Sequence, residues 1–169
     1  MEIAQTTTII CSLLAIDHGD YCYRVCSRCE RVFSGDDGNG GGGGDPYSSS
    51  LFCRFCKSKE SKLLYRLLMS IATDAEVKTV ICFDRAATTL FGCSADEFLT
   101  FSNLNPSAAS MANRVLEGEM LRMTLTRPHN RNAQHLRVAS VVPLRSGFKP
   151  VIVTLREIFQ RNASPCNHS

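Results

Sequence analysis

The chain has 169 residues, enough for one domain with a substantial core and a small insertion. Its 44% hydrophobic and 21% charged residues are ordinary for a soluble globular protein, and no window approaches the ~20 apolar residues of a membrane span. The net charge of +3 is uneven: residues 1–50 hold seven acids and three bases, and residues 51–169 hold nine acids and sixteen bases.

The apolar run over residues 1–16 carries no base and includes the acid Glu2, which makes a poor secretion signal. A reducing compartment is therefore expected. There, nine cysteines read as metal ligands and small core residues rather than as a disulfide scaffold. Residues 7–16 are β-branched and apolar and predict a buried strand. Residues 34–50 are low in complexity and rich in glycine, which predicts a flexible loop. Leu63, Tyr65, Leu67, Met69 and Ile71 occupy alternate positions, the period of a half-buried strand over residues 63–72. Residues 74–76 then turn the chain into a second strand over residues 77–83, so the two form a hairpin.

Asp84 is placed to cap a short helix through Leu90, which Gly92 ends. Ser94 and Glu97 form a capping box for a helix through Phe101. Asn105 before Pro106 starts a further helix to about Leu116. Residues 120–126 alternate with Leu121, Met123 and Leu125 on one face. Residues 135–142 place Leu136, Val138 and Ser140 on one face of another strand. Residues 151–160 predict a final short helix whose apolar stripe of Val151, Leu155, Ile158 and Phe159 packs back on the molecule.

The order is strand, cysteine-rich insert, two strands, helices, two strands. It predicts a mainly β fold: a five-stranded OB-fold barrel with an inserted four-cysteine zinc ribbon and short helices between strands 3 and 4. One domain is expected over residues 1–161, with the ribbon at 22–60 and a disordered tail at 162–169. His18, His129, His135 and His168 are scattered, and neither paired carboxylates nor a Ser/His/Asp set can be read. A catalytic role is therefore not expected.

Cys26-Ser-Arg-Cys29 and Cys53-Arg-Phe-Cys56 are two C-x2-C knuckles. Each spacing lets two thiolates of one tight turn converge on one ion, and two such turns close a tetrahedral Zn2+ site. Four protein ligands leave no position for water, so one structural zinc is expected. Cys22 and His18 lack a knuckle partner and are weaker candidates. Cys11, Cys82 and Cys93 sit in apolar contexts and read as core. Arg122, Arg127, Arg131 and Arg137 fall between Glu119 and Glu157, a stretch without a single acid. They read as a polyanion footprint or as a solvated basic face.

The landmarks resemble the C-terminal zinc-containing OB domain of the replication protein A large subunit. They are also close in style to the N-terminal domain of the DNA damage-induced apoptosis suppressor proteins. The residues that carry the likeness are Tyr23 to Cys29, Cys53 to Cys56, Tyr65 to Asp74, Val80 to Asp84, Leu90-Phe-Gly92, Leu121 to Leu125 and Leu136 to Pro143.

The resemblance implies a non-enzymatic domain that binds single-stranded DNA, or RNA, or holds a genome-maintenance complex together. It implies a nuclear or also cytoplasmic location and no membrane. Phe83 stands where the family places a stacking aromatic; the alternative is a core phenylalanine at a strand end. Arg122, Arg127, Arg131 and Arg137 would flank the groove. The chain departs from the family at Thr79, where an aromatic is expected, and at Pro128-His129-Asn130, which replaces a loop aromatic. The competing reading is a protein-interaction module that keeps the fold with little nucleic-acid affinity.

Overall fold

A computed structural model describes residues 5–17, 19, 21–32, 53–130 and 132–163. In chain order the described elements are β1 Thr6–Ile16, β2 Cys22–Cys26, β3 Ser61–Ala72, β4 Val77–Phe83, α1 Asp84–Phe91, α2 Ala95–Leu104, α3 Ala108–Leu116, β5 Met120–Thr126, β6 Leu136–Pro143 and α4 Val151–Ala163. Strands β1, β5, β6, β4 and β3 hydrogen-bond in that order, and β3 returns to β1, which closes a five-stranded barrel. The β4–β6 pairing is parallel and the other barrel pairings are antiparallel. This is the OB-fold barrel with helices between its third and fourth strands.

β3 belongs to two structures at once. Its first five residues, from Ser61 to Tyr65, pair with β2 of the cysteine-bearing insert. From Arg66 to Ala72 it pairs with β4 inside the barrel. The alternating set Leu63, Tyr65, Leu67, Met69 and Ile71 is buried along its whole length. With Leu13, Val80, Leu121 and Met123 it fills the barrel interior. Each such side chain contributes about 1.5–3 kcal/mol by leaving water.

The helices cover the barrel through an aromatic cluster. The Tyr65 and Phe91 rings lie 4.9 Å apart, and Phe98 meets Phe91 edge-on at the same distance. The Tyr65 hydroxyl donates within reach of the carbonyls of Cys93 (3.1 Å) and Ser94 (3.2 Å), so its burial leaves no orphan polar atom. α4 rests on α1 and α3, and its Val151, Ile152 and Leu155 are buried. Phe159 reaches Phe101 of α2 at 5.6 Å. Among the described residues no helix is long and apolar enough to cross a membrane.

Four local expectations differ. Asp84 does not cap α1; Phe83 holds the N-cap position, and the Asp84 carboxylate accepts the Tyr65 amide at 3.0 Å instead. Asn105 ends α2 rather than starting the next helix; its amide donates to the Phe101 carbonyl, and α3 begins after Ser107. Ser140 is exposed and Val141 is buried, because the β5–β6 register shifts between Thr124 and Leu125. That bulge resets the inward face halfway along β6. α4 continues to Ala163, past the tail boundary drawn at residue 162. The glycine-rich loop and residues 164–169 lie outside the described residues. The Ser94 cap stands as read, with its side chain accepting the Glu97 amide at 3.1 Å.

Candidate functional site

The two knuckles bring four sulfurs together. Cys26 and Cys56 approach to 3.3 Å, Cys29 and Cys53 to 3.4 Å, and all four Sγ atoms lie within 4.8 Å of one another. These separations are far too long for disulfides. They are close to the S···S edge of about 3.8 Å that follows from tetrahedral Zn–S bonds of 2.3 Å. Each knuckle is a turn of the same form: the amide of Glu30 donates to the Cys26 carbonyl and that of Lys57 to the Cys53 carbonyl, both at 2.9 Å. The residue after each second cysteine, Glu30 (φ 58°) and Lys57 (φ 60°), adopts the left-handed conformation. Each left-handed residue costs about 1–2 kcal/mol, so something must stabilise these turns. Four converging thiolates on a cation would do so.

Backbone amides aim at the sulfurs. The Cys56 amide holds the Cys53 thiol down to about 6 and the Cys29 amide lowers the Cys26 thiol, while burial and hydrogen bonds with the partner thiols push Cys29 up to about 11 and raise Cys56, so without a cation one thiolate per sulfur pair is favoured. The thiolate is the form that ligates metal, and a cation among the four sulfurs would favour it at all of them. On the ribbon surface the Arg31 guanidinium lies 3.6 Å from the centre of the Phe55 ring. Cys22 pairs opposite Tyr65 on β2 and is not among the four converging cysteines. His18 lies outside the described residues.

A groove of about 570 Å³ crosses the outer face of β3, β4 and the start of β6. Arg66, Leu68, Ile81, Phe83 and Arg137 form its floor and walls, and Pro128, His129, Asn130 and His135 close it from the β5–β6 loop. Strand register explains the set. Arg66 pairs with Phe83, Leu68 with Ile81, and Ile81 with Arg137. Their chain neighbours Tyr65, Leu67, Val80, Cys82 and Val138 point inward, so these point outward.

Phe83 is half-buried on this groove rather than in the core. The Arg137 guanidinium lies 4.3 Å from its ring centre, and Tyr23 meets the ring edge-on at 6.4 Å. Arg127 lines an adjoining recess of about 340 Å³ under the same loop. Arg122 is elsewhere: it pairs with Ile10 and Val142 on the outer face of β1, β5 and β6, about 13 Å along β5 from Thr126. Arg131 lies outside the described residues. Arg66, Leu68 and Ile81 were not singled out from sequence. The signal was present, since they are the complement of the buried alternating set.

Barrel topology, groove and four-thiol ribbon define the chain as an OB-fold domain with an insert whose four cysteines could hold a metal ion. A profile of the replication factor-A C-terminal domain family matches residues 6–144, and the chain belongs to that family. No curated protein matches the sequence. Among solved structures, a replication protein A heterotrimer bound to single-stranded DNA is similar, with a TM-score of 0.67 and 16% identity over 96% of this chain and 36% of the other. The protein thus spans about a third of the length of that chain. Yeast replication protein A bound to single-stranded DNA is also similar, with a TM-score of 0.66 and 13% identity over 95% of this chain and 88% of the other.

Proposed function

We propose that the protein binds single-stranded DNA along this groove, as a non-catalytic module acting in DNA replication or repair. The observation that carries the reading is Phe83 stacked with Arg137, beside Arg66, on one outward sheet face of a replication factor-A C-terminal domain. Bases have a flat ring and a flat guanidinium to stack on, and apolar Leu68 and Ile81 to rest on. Arg66, Arg127 and Arg137 neutralise phosphates and release counterions, which makes binding fall with salt. Stacking contributes about 1–3 kcal/mol per base.

On this reading the ribbon ion is a single zinc held by Cys26, Cys29, Cys53 and Cys56. It supplies folding energy to the insert and no chemistry. A nuclear location and protein partners in a genome-maintenance complex accompany the reading. A second reading has its own support: Ile10, Met120, Val142 and Leu144 are exposed apolar side chains on β1, β5, β6 and the residue after it, as a protein-interaction module would have.

Fluorescence anisotropy with labelled single-stranded DNA, duplex DNA and RNA across a salt series tests the proposal. Preference for single-stranded DNA and a steep loss of affinity with salt are expected. Absence of binding at low salt overturns it and favours the interaction module.

A further inference from the structure

The residue that follows β1 lines up with residues of β3, β4 and β6 in one row across the barrel. Ile16 pairs with Met69, so Asp17 follows opposite Leu68, and its amide donates to the Leu68 carbonyl at 2.9 Å. Leu68 pairs with Ile81, and Ile81 with Arg137. Ile16, Met69, Cys82 and Val138, the neighbours of these residues along their strands, are buried, so the row faces outward. It reads carboxylate, two aliphatic side chains, guanidinium. With strands ~4.8 Å apart, the two charged residues stand about 14 Å from each other.

Asp17 and Gly19 line a recess of about 210 Å³ that shares Arg66, Leu68 and Ile81 with the groove, so the two form one trough. Asp17 Oδ1 accepts the Gly19 amide at 2.9 Å, which fixes the carboxylate and leaves it further acceptor capacity. The carboxylate joins none of the ion pairs among the described residues. A carboxylate repels phosphate. Arg66, which lines both recesses, and Arg137 attract it, so a strand bound as proposed would run its sugar-phosphate chain past these two arginines and turn the edge of the base on Leu68 and Ile81 toward Asp17.

On that edge an ionised carboxylate can only accept. Cytosine presents an exocyclic amino donor, whereas thymine presents a carbonyl oxygen in its place. We infer that Asp17 reads the base lying on Leu68 and Ile81 and selects one with an exocyclic amino group, cytosine over thymine. The inference rests on the single-strand binding proposed above and names the specificity residue of that site.

The test compares labelled oligo(dC) and oligo(dT) of equal length at one salt concentration, for the unaltered protein, Asp17→Asn and Asp17→Ala. Flexibility differences between the oligomers are common to all three proteins, so the quantity read is the change in the dC/dT affinity ratio. In Asp17→Ala the ratio falls about fivefold or more, and oligo(dT) binding is unchanged or tighter. Asp17→Asn keeps the acceptor for Gly19 and adds an amide donor that suits the thymine carbonyl, so the ratio shifts toward thymine. A ratio unchanged in both variants overturns this inference and leaves the groove assignment standing. Failure of the unaltered protein to bind either oligomer overturns the proposed function and this inference with it.

Discussion

The guanidinium of Arg137 lies 4.3 Å from the centre of the Phe83 ring, across the parallel junction of β4 and β6. Neither residue makes the groove alone. On the proposed function, Phe83→Ala removes a stacking surface and weakens single-stranded DNA binding by about 1–3 kcal/mol. Arg137→Ala weakens it and reduces the salt slope by about 1. Arg122→Ala leaves affinity close to that of the unaltered protein, because it lies off the groove. Anisotropy titrations of the three variants check this; equal losses at Arg122 and Arg137 would refute the placement.

Metal analysis of purified protein is expected to give about one zinc per chain. Cys26→Ser and Cys53→Ser lose it, because each removes one of four ligands. The ligating form is the thiolate, so protons compete with the metal and affinity falls as pH falls. Hydrogen exchange then rises first in β2 and residues 53–60, while the barrel half of β3 stays protected. A Cys26→Ser protein with unchanged metal content contradicts the ligand assignment.

Gly92 ends α1 at φ 73°, and a Cβ built there would lie 2.3 Å from the Pro150 Cβ at the start of α4. Gly92→Ala therefore combines left-handed strain with a clash against a rigid ring. A loss of about 2–4 kcal/mol in chemical denaturation is expected. A neutral substitution would mean that α4 can shift away from α1.

Glu119 is only 9% exposed, and its Oε1 accepts from both Nε (3.1 Å) and Nη2 of Arg145. This pair ties the segment before α4 to the turn entering β5. Arg145→Ala leaves the carboxylate buried without its partner and is expected to lower the melting temperature. Arg145 is itself largely exposed, and that solvent screening keeps the effect below the cost for a fully buried pair. Arg145→Lys recovers charge without the fork and restores stability only in part. Thermal melts of the two variants separate these outcomes.

Burial pushes the Cys82 thiol up to about 12 from an ordinary value of 9.0. The folded thiol stays neutral where the unfolded one ionises. Its stabilising effect is complete below pH 9 and is lost as pH rises from 9 toward 12. Replacing it with valine, similar in size and unable to ionise, is expected to flatten stability over that range. Denaturation midpoints at pH 8 and pH 10.5 provide the comparison. Cys82 also resists alkylation in the native protein.

Much of this architecture is readable from periodicity. The inward set of β3 and the boundaries of β4 follow from alternation over long, regular stretches. What escapes is local competition. Asp84 has a helix start beside it and a strand amide within reach, and it bonds the amide of Tyr65. Asn105 is flanked by two helices; its amide closes the earlier one, and its carbonyl only accepts the first amide of the next, whose N-cap is Ser107. Ser140 is misplaced by a bulge that no residue type announces. In the groove, Phe83 and Arg137 stand out by residue type. Leu68 and Ile81 do not, since aliphatic side chains on an outward strand face are told from core only once the partner strands are known. Asp17 acquires meaning only from closure of the barrel, which sets it in line with Arg137.

Barrel closure also carries a consequence for biosynthesis. Thr6 to Ser12 of β1 pair with β5, and Thr8 meets Thr124 across 116 residues of chain. At a ribosomal pace of about 5–20 residues per second, β1 leaves the exit tunnel roughly ten seconds before its partner. Through that interval an apolar strand has an open edge. A nascent chain caught in this window is the form that holdase chaperones would meet, and slowing translation between the two strands would lengthen it.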